Sequence, residues 1–299
     1  MSSPDLNSKQ WWKYCKTIAK GTTQNVDAPL IDGNMLVSDN TAKANLLNNY
    51  FVSQSELDDS STNLPPELST NCPIIEQKVV DPIDVYSVLV NLDINKATGP
   101  DGISNKLLKE AAVPIAAPLS HLYNYSLSVC EFPDSWKLAN VIPLFKKDDP
   151  MNCTNYRPVS LLCCISKVFE RVLFNHIFNF LKVNKLLNPN QSGFIPSDST
   201  INQLLHLCHK LYQSMDIDDD IVAIFLDLSK AFDKVWHKGL IFKLHRTGIR
   251  GNLLLWLKSY LTNRKQCVVL NGCKSDILSL HSGVPIGSVL GLLLFLIYQ

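Results

Sequence analysis

Apolar residues recur at helical spacing in four stretches of this chain. They lie at residues 41–51, 162–180, 201–215 and 253–261. Apolar side chains at positions i, i+3, i+4 and i+7 line one side of a helix, so each stretch is predicted to be an amphipathic helix packed against a core. Residues 289–298 are apolar almost throughout, which predicts a buried helix or strand.

Other stretches have the pattern of strands. Residues 138–145 (LANVIPLF) are predicted to form a strand, with Pro143 at an edge or a bulge because proline cannot donate a ladder hydrogen bond. The β-branched apolar run at residues 221–225 predicts a buried strand. Residues 267–270 precede Asn271-Gly272, a pair that suits a type I′ turn, so a β-hairpin is expected there.

The order of these helices and strands is irregular, which predicts the α+β fold class, rich in helix and with short antiparallel strands. Residues 53–71 are polar, acidic and interrupted by a proline pair, a composition typical of a linker. We place the first domain boundary there. A chain of 299 residues, 46% of them apolar, can bury a large core and is expected to form two domains.

The net charge of +1 hides a strong asymmetry along the chain. Residues 137–187 contain eight Lys or Arg against three acids, and residues 230–274 contain ten against one acid, Asp233. Basic blocks that alternate with aromatic residues favour binding of a polyanion. Solvated helix faces that are rich in lysine are the alternative.

The sequence indicates an intracellular protein, located in the cytoplasm, the nucleus or both. Its first residues lack the basic end and apolar core of a secretory signal. Its nine cysteines contain no C-x-x-C pair and are typical of reduced core residues. The run at residues 289–298 is about half the roughly 20 residues that a membrane helix needs. No membrane association is therefore expected.

One carboxylate, Asp227, follows the predicted strand at residues 221–225. A side chain at this place emerges where the strand leaves the core, which is where metal-binding carboxylates often lie. The alternative is that Asp227 caps a following helix and accepts hydrogen bonds from free backbone N–H groups.

Seven short motifs follow one another along nearly the whole chain. They are Trp11-Trp12 and residues 96–104 (KATGPDGIS), 136–147 (WKLANVIPLFKK), 155–162 (NYRPVSLL), 191–194 (QSGF), 225–235 (FLDLSKAFDKV) and 283–291 (GVPIGSVLG). In this order they resemble the reverse transcriptase region of non-LTR retrotransposons of the Jockey-like type.

The resemblance implies a right-hand polymerase fold. Residues 1–75 would be an N-terminal extension and linker, residues 76–215 the fingers, and residues 216–299 an incomplete palm. The implied partners are an RNA template, a DNA primer and deoxynucleoside triphosphates. The implied reaction is attack of the primer 3′-hydroxyl on the α-phosphate, with two Mg²⁺ ions as cofactors. The oligomeric state stays open.

The resemblance also assigns roles to individual residues. Asp227 matches the first palm ligand of the catalytic metal, and Asp233 is expected to orient structure instead of binding metal. Phe232 matches the steric gate, an aromatic ring that excludes a ribose 2′-hydroxyl by overlap; a core aromatic at the start of a helix is the alternative.

Two further groups match nucleotide-binding segments. Lys146, Lys147 and Arg157 match the fingers residues that clamp the triphosphate, although a solvated surface loop is the alternative. Residues Gly283, Pro285 and Gly287 match the loop whose bare backbone lets nucleotide and template approach closely; a simple loop would have the same glycines.

The chain departs from the family pattern in places. Ile286 replaces a glutamine, so a hydrogen bond to sugar or base is lost there, and Leu292 replaces the usual proline. The palm hairpin with paired aspartates, the thumb and the endonuclease have no counterpart before Gln299. One carboxylate cannot hold two Mg²⁺ ions against their repulsion, so we expect this chain to be inactive alone.

Two other hypotheses follow from these departures. The chain could be a non-catalytic RNA- or DNA-binding remnant, or a domesticated fragment, which uses its basic surface without chemistry. It could also be the product of a decayed genomic copy with no function. Salt-sensitive RNA binding distinguishes the first hypothesis from the second.

Overall fold

The computed structural model describes residues 28–66 and 72–299, so Trp11 and Trp12 lie outside the described residues. Helices and strands both occur, in agreement with the α+β prediction. The helices are α1 (Asn40–Ser53), α2 (Pro82–Val90), α3 (Asn105–Glu110), α4 (Ala112–Ser128), α5 (Cys164–Val183), α6 (Thr200–Asp216), α7 (His237–Arg246), α8 (Gly251–Leu261) and α9 (Leu290–Tyr298). The strands are β1 (Leu30–Asp32), β2 (Met35–Val37), β3 (Leu138–Phe145), β4 (Tyr156–Leu161), β5 (Arg264–Leu270), β6 (Cys273–Lys274) and β7 (Leu278–Leu280).

The four predicted amphipathic helices all form, as α1, α5, α6 and α8. Local sequence explains where two of them begin. The Asp39 carboxylate accepts the backbone N–H of Ala42 at 2.8 Å, and the Ser199 hydroxyl accepts that of Asn202 at 3.3 Å. These bonds satisfy N–H groups that the first turn of a helix cannot pair internally.

A five-stranded sheet joins distant parts of the chain. Strand β3 pairs with β4 in antiparallel and with β5 in parallel orientation, while β6 and β7 both pair with β5 in antiparallel orientation. The parallel pair departs from the prediction of short antiparallel strands. Pairing of β3 with β5 ends at Val141, so Pro143 faces a partner strand on one side alone, as its missing N–H requires.

The predicted hairpin is present between β5 and β6. Leu270 pairs with Cys273, and the two turn residues both have positive φ, 49° for Asn271 and 82° for Gly272. Positive φ at both central positions is the defining property of the type I′ turn. The local signal therefore predicted this turn correctly.

The larger core lies between helices α4, α5, α8 and α9 and is rich in aromatic rings. Tyr123 and Phe169 stack with centroids 4.3 Å apart, and Phe132 contacts Trp256 edge-on at 5.4 Å. The indole N–H of Trp256 donates to the Ser126 hydroxyl at 2.9 Å. Helix α9 is mostly buried in this core, which confirms the prediction for residues 289–298.

A smaller core holds the N-terminal segment against the sheet. Helix α1 packs on β5, and the fully buried Asn48 amide donates to the Ser275 hydroxyl at 3.0 Å and to the Asp276 carbonyl at 2.8 Å. The Gln266 side chain donates back to Asn48 at 3.0 Å. This buried amide network fixes where α1 lies on the sheet.

The buried strand predicted at residues 221–225 is wrong. These residues form neither helix nor strand, and Val222 and Phe225 are 85% and 83% exposed. A strand needs a neighbour to pair its backbone groups, and no strand in the described ranges pairs with this segment. The apolar run is therefore solvent-exposed.

Helix α6 forms but does not pack as predicted. Its apolar face is exposed, including Ile201, Leu204 and Leu205, and none of its residues is buried. Helical spacing predicted the element type correctly, and the expected contact with a core is missing because nothing else in the described chain covers this face.

Among the described residues, none of the helices has both the length and the apolar character needed to cross a membrane. The eight cysteines in the same part of the chain are free thiols.

Candidate functional site

Three segments that are far apart in sequence meet at residues 282–288. The backbone N–H of Val284 donates to the Phe232 carbonyl at 2.9 Å, and that of Gly283 donates to the Val235 carbonyl at 2.9 Å. On the other side, the N–H of Ser160 in β4 donates to the Ile286 carbonyl at 3.0 Å. Residues 283–287, which we name the glycine loop, thus bridge β4 and the segment that follows Asp227.

The glycines of this loop are required by close backbone contacts. Gly283 has a φ of 83°, and a Cβ at this position would lie 2.7 Å from the Asp233 carbonyl oxygen. Gly287 has a φ of 112°, and a Cβ there would lie 2.5 Å from the Ser160 carbonyl oxygen. Both positions therefore exclude any side chain. The expected approach of nucleotide and template stays a prediction.

Hydrogen bonds from the two flanking serines fix the ends of the glycine loop. The Ser282 hydroxyl donates to the Asp233 carbonyl at 2.9 Å and also contacts the Ser55 carbonyl. The carbonyl of Pro285 accepts the Ser288 hydroxyl at 2.8 Å. Ile286 is half-buried, and its carbonyl is already paired with β4.

Two lysines from separate segments, Lys146 and Lys230, act electrostatically on Asp233. Lys146 follows β3 and Arg157 lies in β4, and both are exposed. Burial, followed by the nearby charges of Lys230 and Arg157, lowers the pKa of Lys146, while Asp233 opposes this shift. Burial raises the pKa of Asp233, and Lys230 and Lys146 oppose that shift. These four groups therefore share one electrostatic environment, and Lys147 is exposed beside them.

Lys230 also belongs to this group and was not predicted from the sequence. Its φ is 55°, and its ammonium lies 5.2 Å from the centre of the Tyr50 ring and 3.4 Å from the Tyr50 hydroxyl. The cation–π contact holds the ammonium beside α1. The signal that was available is its place in the motif at residues 225–235, which also contains Asp227 and Phe232.

The Asp233 side chain lines a small cavity beneath the glycine loop. The cavity holds about 30 Å³, and Ser160, Arg264 and Ser282 contribute to its wall. Its volume suits a water molecule and excludes a nucleotide. Asp233 thus lies under the glycine loop, and its expected role in orienting structure stays a prediction.

Phe232 is half-buried, with its ring held by two others. It contacts Phe194 edge-on at 5.6 Å between centroids and Phe295 of α9 at 4.4 Å. No helix begins at Phe232, which contradicts one part of the core-aromatic alternative. The contacts fix the orientation of the ring while leaving part of it accessible.

Asp227 lies apart from these contacts, in the exposed segment after residue 220. It makes no hydrogen bond or ion pair with the described residues, and it caps no helix, since α7 begins at His237. Throughout residues 28–66 and 72–299, no group of three or more His, Cys, Asp or Glu side chains could hold a metal ion. The described donors therefore do not fit a site for two Mg²⁺ ions.

His237 also contacts the glycine loop and was not predicted. Its Nε2 lies 2.7 Å from the Gly283 carbonyl. Burial lowers the pKa of His237, which favours the neutral ring, and the carbonyl requires Nε2 to carry the proton. Its position, ten residues after Asp227, has no local signal that would have identified this contact.

Comparisons with known proteins agree with the motifs. A family model described as "Reverse transcriptase (RNA-dependent DNA polymerase)" matches residues 145–299. The "Probable RNA-directed DNA polymerase from transposon X-element" of Drosophila melanogaster is 30% identical over 96% of this chain and 32% of its own length. The "RNA-directed DNA polymerase from mobile element jockey" of the same species is 33% identical over 72% of this chain and 24% of its own length. The chain thus spans about a third or less of these relatives.

Proposed function

Since the chain belongs to the reverse transcriptase family and is a reverse transcriptase domain of non-LTR retrotransposons, we propose that the glycine loop and its neighbours receive an incoming deoxynucleoside triphosphate. The observation that carries this proposal is the meeting of the glycine loop, the Phe232 ring and the cations Lys146, Arg157 and Lys230 at one place.

The three cations suit the triphosphate. Lysine ammonium groups act as point charges, and the planar guanidinium of Arg157 can donate two parallel hydrogen bonds to phosphate oxygens. Burial, and then the charges of Lys230 and Arg157, lower the pKa of Lys146. An anion that binds here would relieve the repulsion between these cations. Lys147 adds charge at the edge of this cluster.

Phe232 is proposed to select the sugar. Its ring is held by Phe194 and Phe295, and its carbonyl by the Val284 N–H, so the ring cannot move aside without breaking these contacts. A fixed ring excludes an additional 2′-hydroxyl by steric overlap. Ile286 offers the nucleotide an apolar side chain, so selection at this point depends on shape.

Phosphoryl transfer requires a more complete metal site than the described residues form. Asp227 is proposed as one carboxylate that would contribute to a catalytic Mg²⁺ site, together with further ligands that the described residues do not provide. The described residues would bind, orient and select the nucleotide. The 299-residue chain is expected not to extend a primer by itself.

We further propose that residues 76–215 act as the fingers and residues 216–299 as part of the palm, after an N-terminal region of residues 1–75. The sheet supports a rigid connection between them, because β3 and β4 come from the first part and β5 from the second. An RNA template and a DNA primer are the proposed partners, in the cytoplasm or the nucleus.

Titration of the full chain with a fluorescent deoxynucleoside triphosphate and Mg²⁺ tests this function. Lys146→Ala and Lys230→Ala should each weaken binding by about tenfold, the effect of losing one charge-assisted hydrogen bond. Lys106→Ala, which removes an exposed lysine on α3, is the control and should bind normally. Equal binding by all four proteins would contradict the proposal.

A second candidate function, nucleic-acid binding without chemistry, is favoured by the exposed cations of the basic block at residues 230–274. Five of its lysines are exposed: Lys234, Lys238, Lys258, Lys265 and Lys274. This function predicts RNA binding that weakens steeply with salt and survives Asp227→Ala. Salt-independent binding would count against it.

A further inference from the structure

The N-terminus of α9 is capped by a carboxylate from another helix. Glu170, fully buried in α5, accepts the backbone N–H groups of Val289 at 2.8 Å and Leu290 at 3.1 Å through Oε2. The Val289 side chain is apolar and cannot cap the helix that it precedes. Glu170 therefore satisfies two N–H groups that the helix itself cannot pair, and its charge suits the positive end of the helix dipole.

The same carboxylate is tied to β5 through Tyr260. The Tyr260 hydroxyl donates to Oε2 of Glu170 at 3.3 Å, and Nη1 of Arg264 donates to the Tyr260 carbonyl at 2.9 Å. Within the described residues, Oε1 of Glu170 and Nη2 of Arg264 are buried and have no hydrogen-bond partner. Burial raises the pKa of Glu170, against the lowering effects of the two amides and Arg264.

This arrangement is costly for a cap. Burying a carboxylate with one oxygen unpaired costs free energy, whereas a serine or aspartate in place of Val289 would cap the helix from its own segment. What the buried carboxylate provides instead is a fixed link between α5 and the start of α9. A cap from residue 289 itself could not supply this link.

The capped turn is continuous with the glycine loop. The Ser288 hydroxyl donates to the Pro285 carbonyl at 2.8 Å and accepts the Gly291 N–H at 3.0 Å. Ser288 thus connects the last residues of the loop to the turn that Glu170 holds. A displacement of Val289 and Leu290 would therefore also move Pro285.

We infer that Glu170 is a positioning residue for nucleotide binding: by capping α9 from α5, it sets where Pro285 to Gly287 lie against β4. The inference rests on the proposed function of the glycine loop. Glu170 itself contacts no nucleotide and acts through the loop.

Amide hydrogen exchange by NMR and nucleotide titration of the full chain test this role together. Glu170→Gln keeps the size of the side chain and removes its charge. We expect the Val289 and Leu290 amides to exchange about ten to a hundred times faster, and deoxynucleotide binding to weaken about tenfold. Exchange in the distant hairpin at Asn271-Gly272 should stay unchanged, which a general loss of stability would not allow.

Two further variants complete the comparison. Tyr260→Phe removes the longest of the three bonds to Glu170 and should change exchange and binding less than threefold. Glu170→Asp keeps the charge on a shorter side chain and should give an intermediate effect, and it decides the matter if Glu170→Gln does not fold.

The outcomes are distinguishable. Unchanged exchange at Val289 and Leu290, or exchange that rises equally throughout the chain, would overturn the role of Glu170. Faster local exchange with unchanged nucleotide affinity would overturn it as well, since the loop position would then not matter for binding. A wild-type chain that binds no nucleotide would refute the proposed function, while the exchange data would still show whether Glu170 fixes the loop.

Discussion

Two apolar runs of similar composition differ in burial in this protein. Residues 289–298 form α9 and are mostly buried, whereas residues 221–226 are exposed and belong to no element. A helix pairs its backbone within itself and needs a cap and an apolar neighbour, both of which α9 has. A strand needs another strand, which the second run lacks within the described chain. Apolar composition therefore predicts burial only where the backbone is also satisfied.

The largest expected effect comes from placing a charge in each run. Leu294→Asp, at a fully buried position of α9, should cost at least about 4 kcal/mol of unfolding free energy, because an unpaired carboxylate enters the core. Ile224→Asp, at a position that is 79% exposed, should change it by less than about 0.5 kcal/mol. Urea denaturation measures both, and a similar cost for the two would show that the second run is packed.

The next largest effect separates backbone strain from steric overlap. Gly283→Ala should cost roughly 2–3 kcal/mol, since it adds a clash with the Asp233 carbonyl to the strain of positive φ. Gly33→Ala is the matched control: its φ is 58° but a Cβ would meet nothing, so about 1 kcal/mol is expected. Equal losses of stability for the two variants in thermal unfolding would mean that the backbone around Gly283 shifts easily to accommodate a Cβ.

A smaller effect depends on pH. Burial raises the pKa of Asp233, so the folded state binds its proton more readily than the unfolded state, whose pKa is near 3.8. The free energy of unfolding contributed by this group therefore falls as pH rises from about 3.8 through the folded pKa, and it is constant above that. Asp233→Asn should stabilise the protein by roughly 1 kcal/mol at pH 7 and by less at pH 4.5. A stabilisation by Asp233→Asn that is equal at the two pH values would contradict this explanation.

The smallest effect is expected on α6. Leu204→Glu lies on its exposed apolar face and should change the unfolding free energy by less than about 0.5 kcal/mol. Leu173→Glu, at a fully buried position of α5, serves as the contrasting variant and should prevent folding. Circular dichroism during heating distinguishes them, and a large loss for Leu204→Glu would show that α6 is covered.

Local signals predicted the elements well, since they act over a few residues. Asn271-Gly272 dictates its turn, and the spacing of apolar residues dictates α5 and α8. The motifs also pointed to Lys146, Arg157, Phe232 and the loop glycines, which the structure brings together. The role of each in nucleotide binding stays a prediction.

What escaped prediction depends on distant partners. Glu170 meets Val289 across 119 residues, and no short pattern around either residue indicates the contact. The strand predicted at residues 221–225 is wrong for a related reason: a strand needs a partner, and no strand in the described ranges pairs with this segment. The parallel pairing of β3 with β5 likewise depends on the helices between them.

The parallel pair of β3 and β5 has a consequence for the order of folding. Asn140 pairs with Cys267, so this part of the sheet closes a loop of more than a hundred residues, at an entropic cost on the order of 4 kcal/mol. Such a contact forms late, after the helices between the strands have gathered, and during synthesis it must wait until β5 has left the ribosome. We expect Val268→Ala to accelerate unfolding more than it slows refolding, which stopped-flow fluorescence would measure.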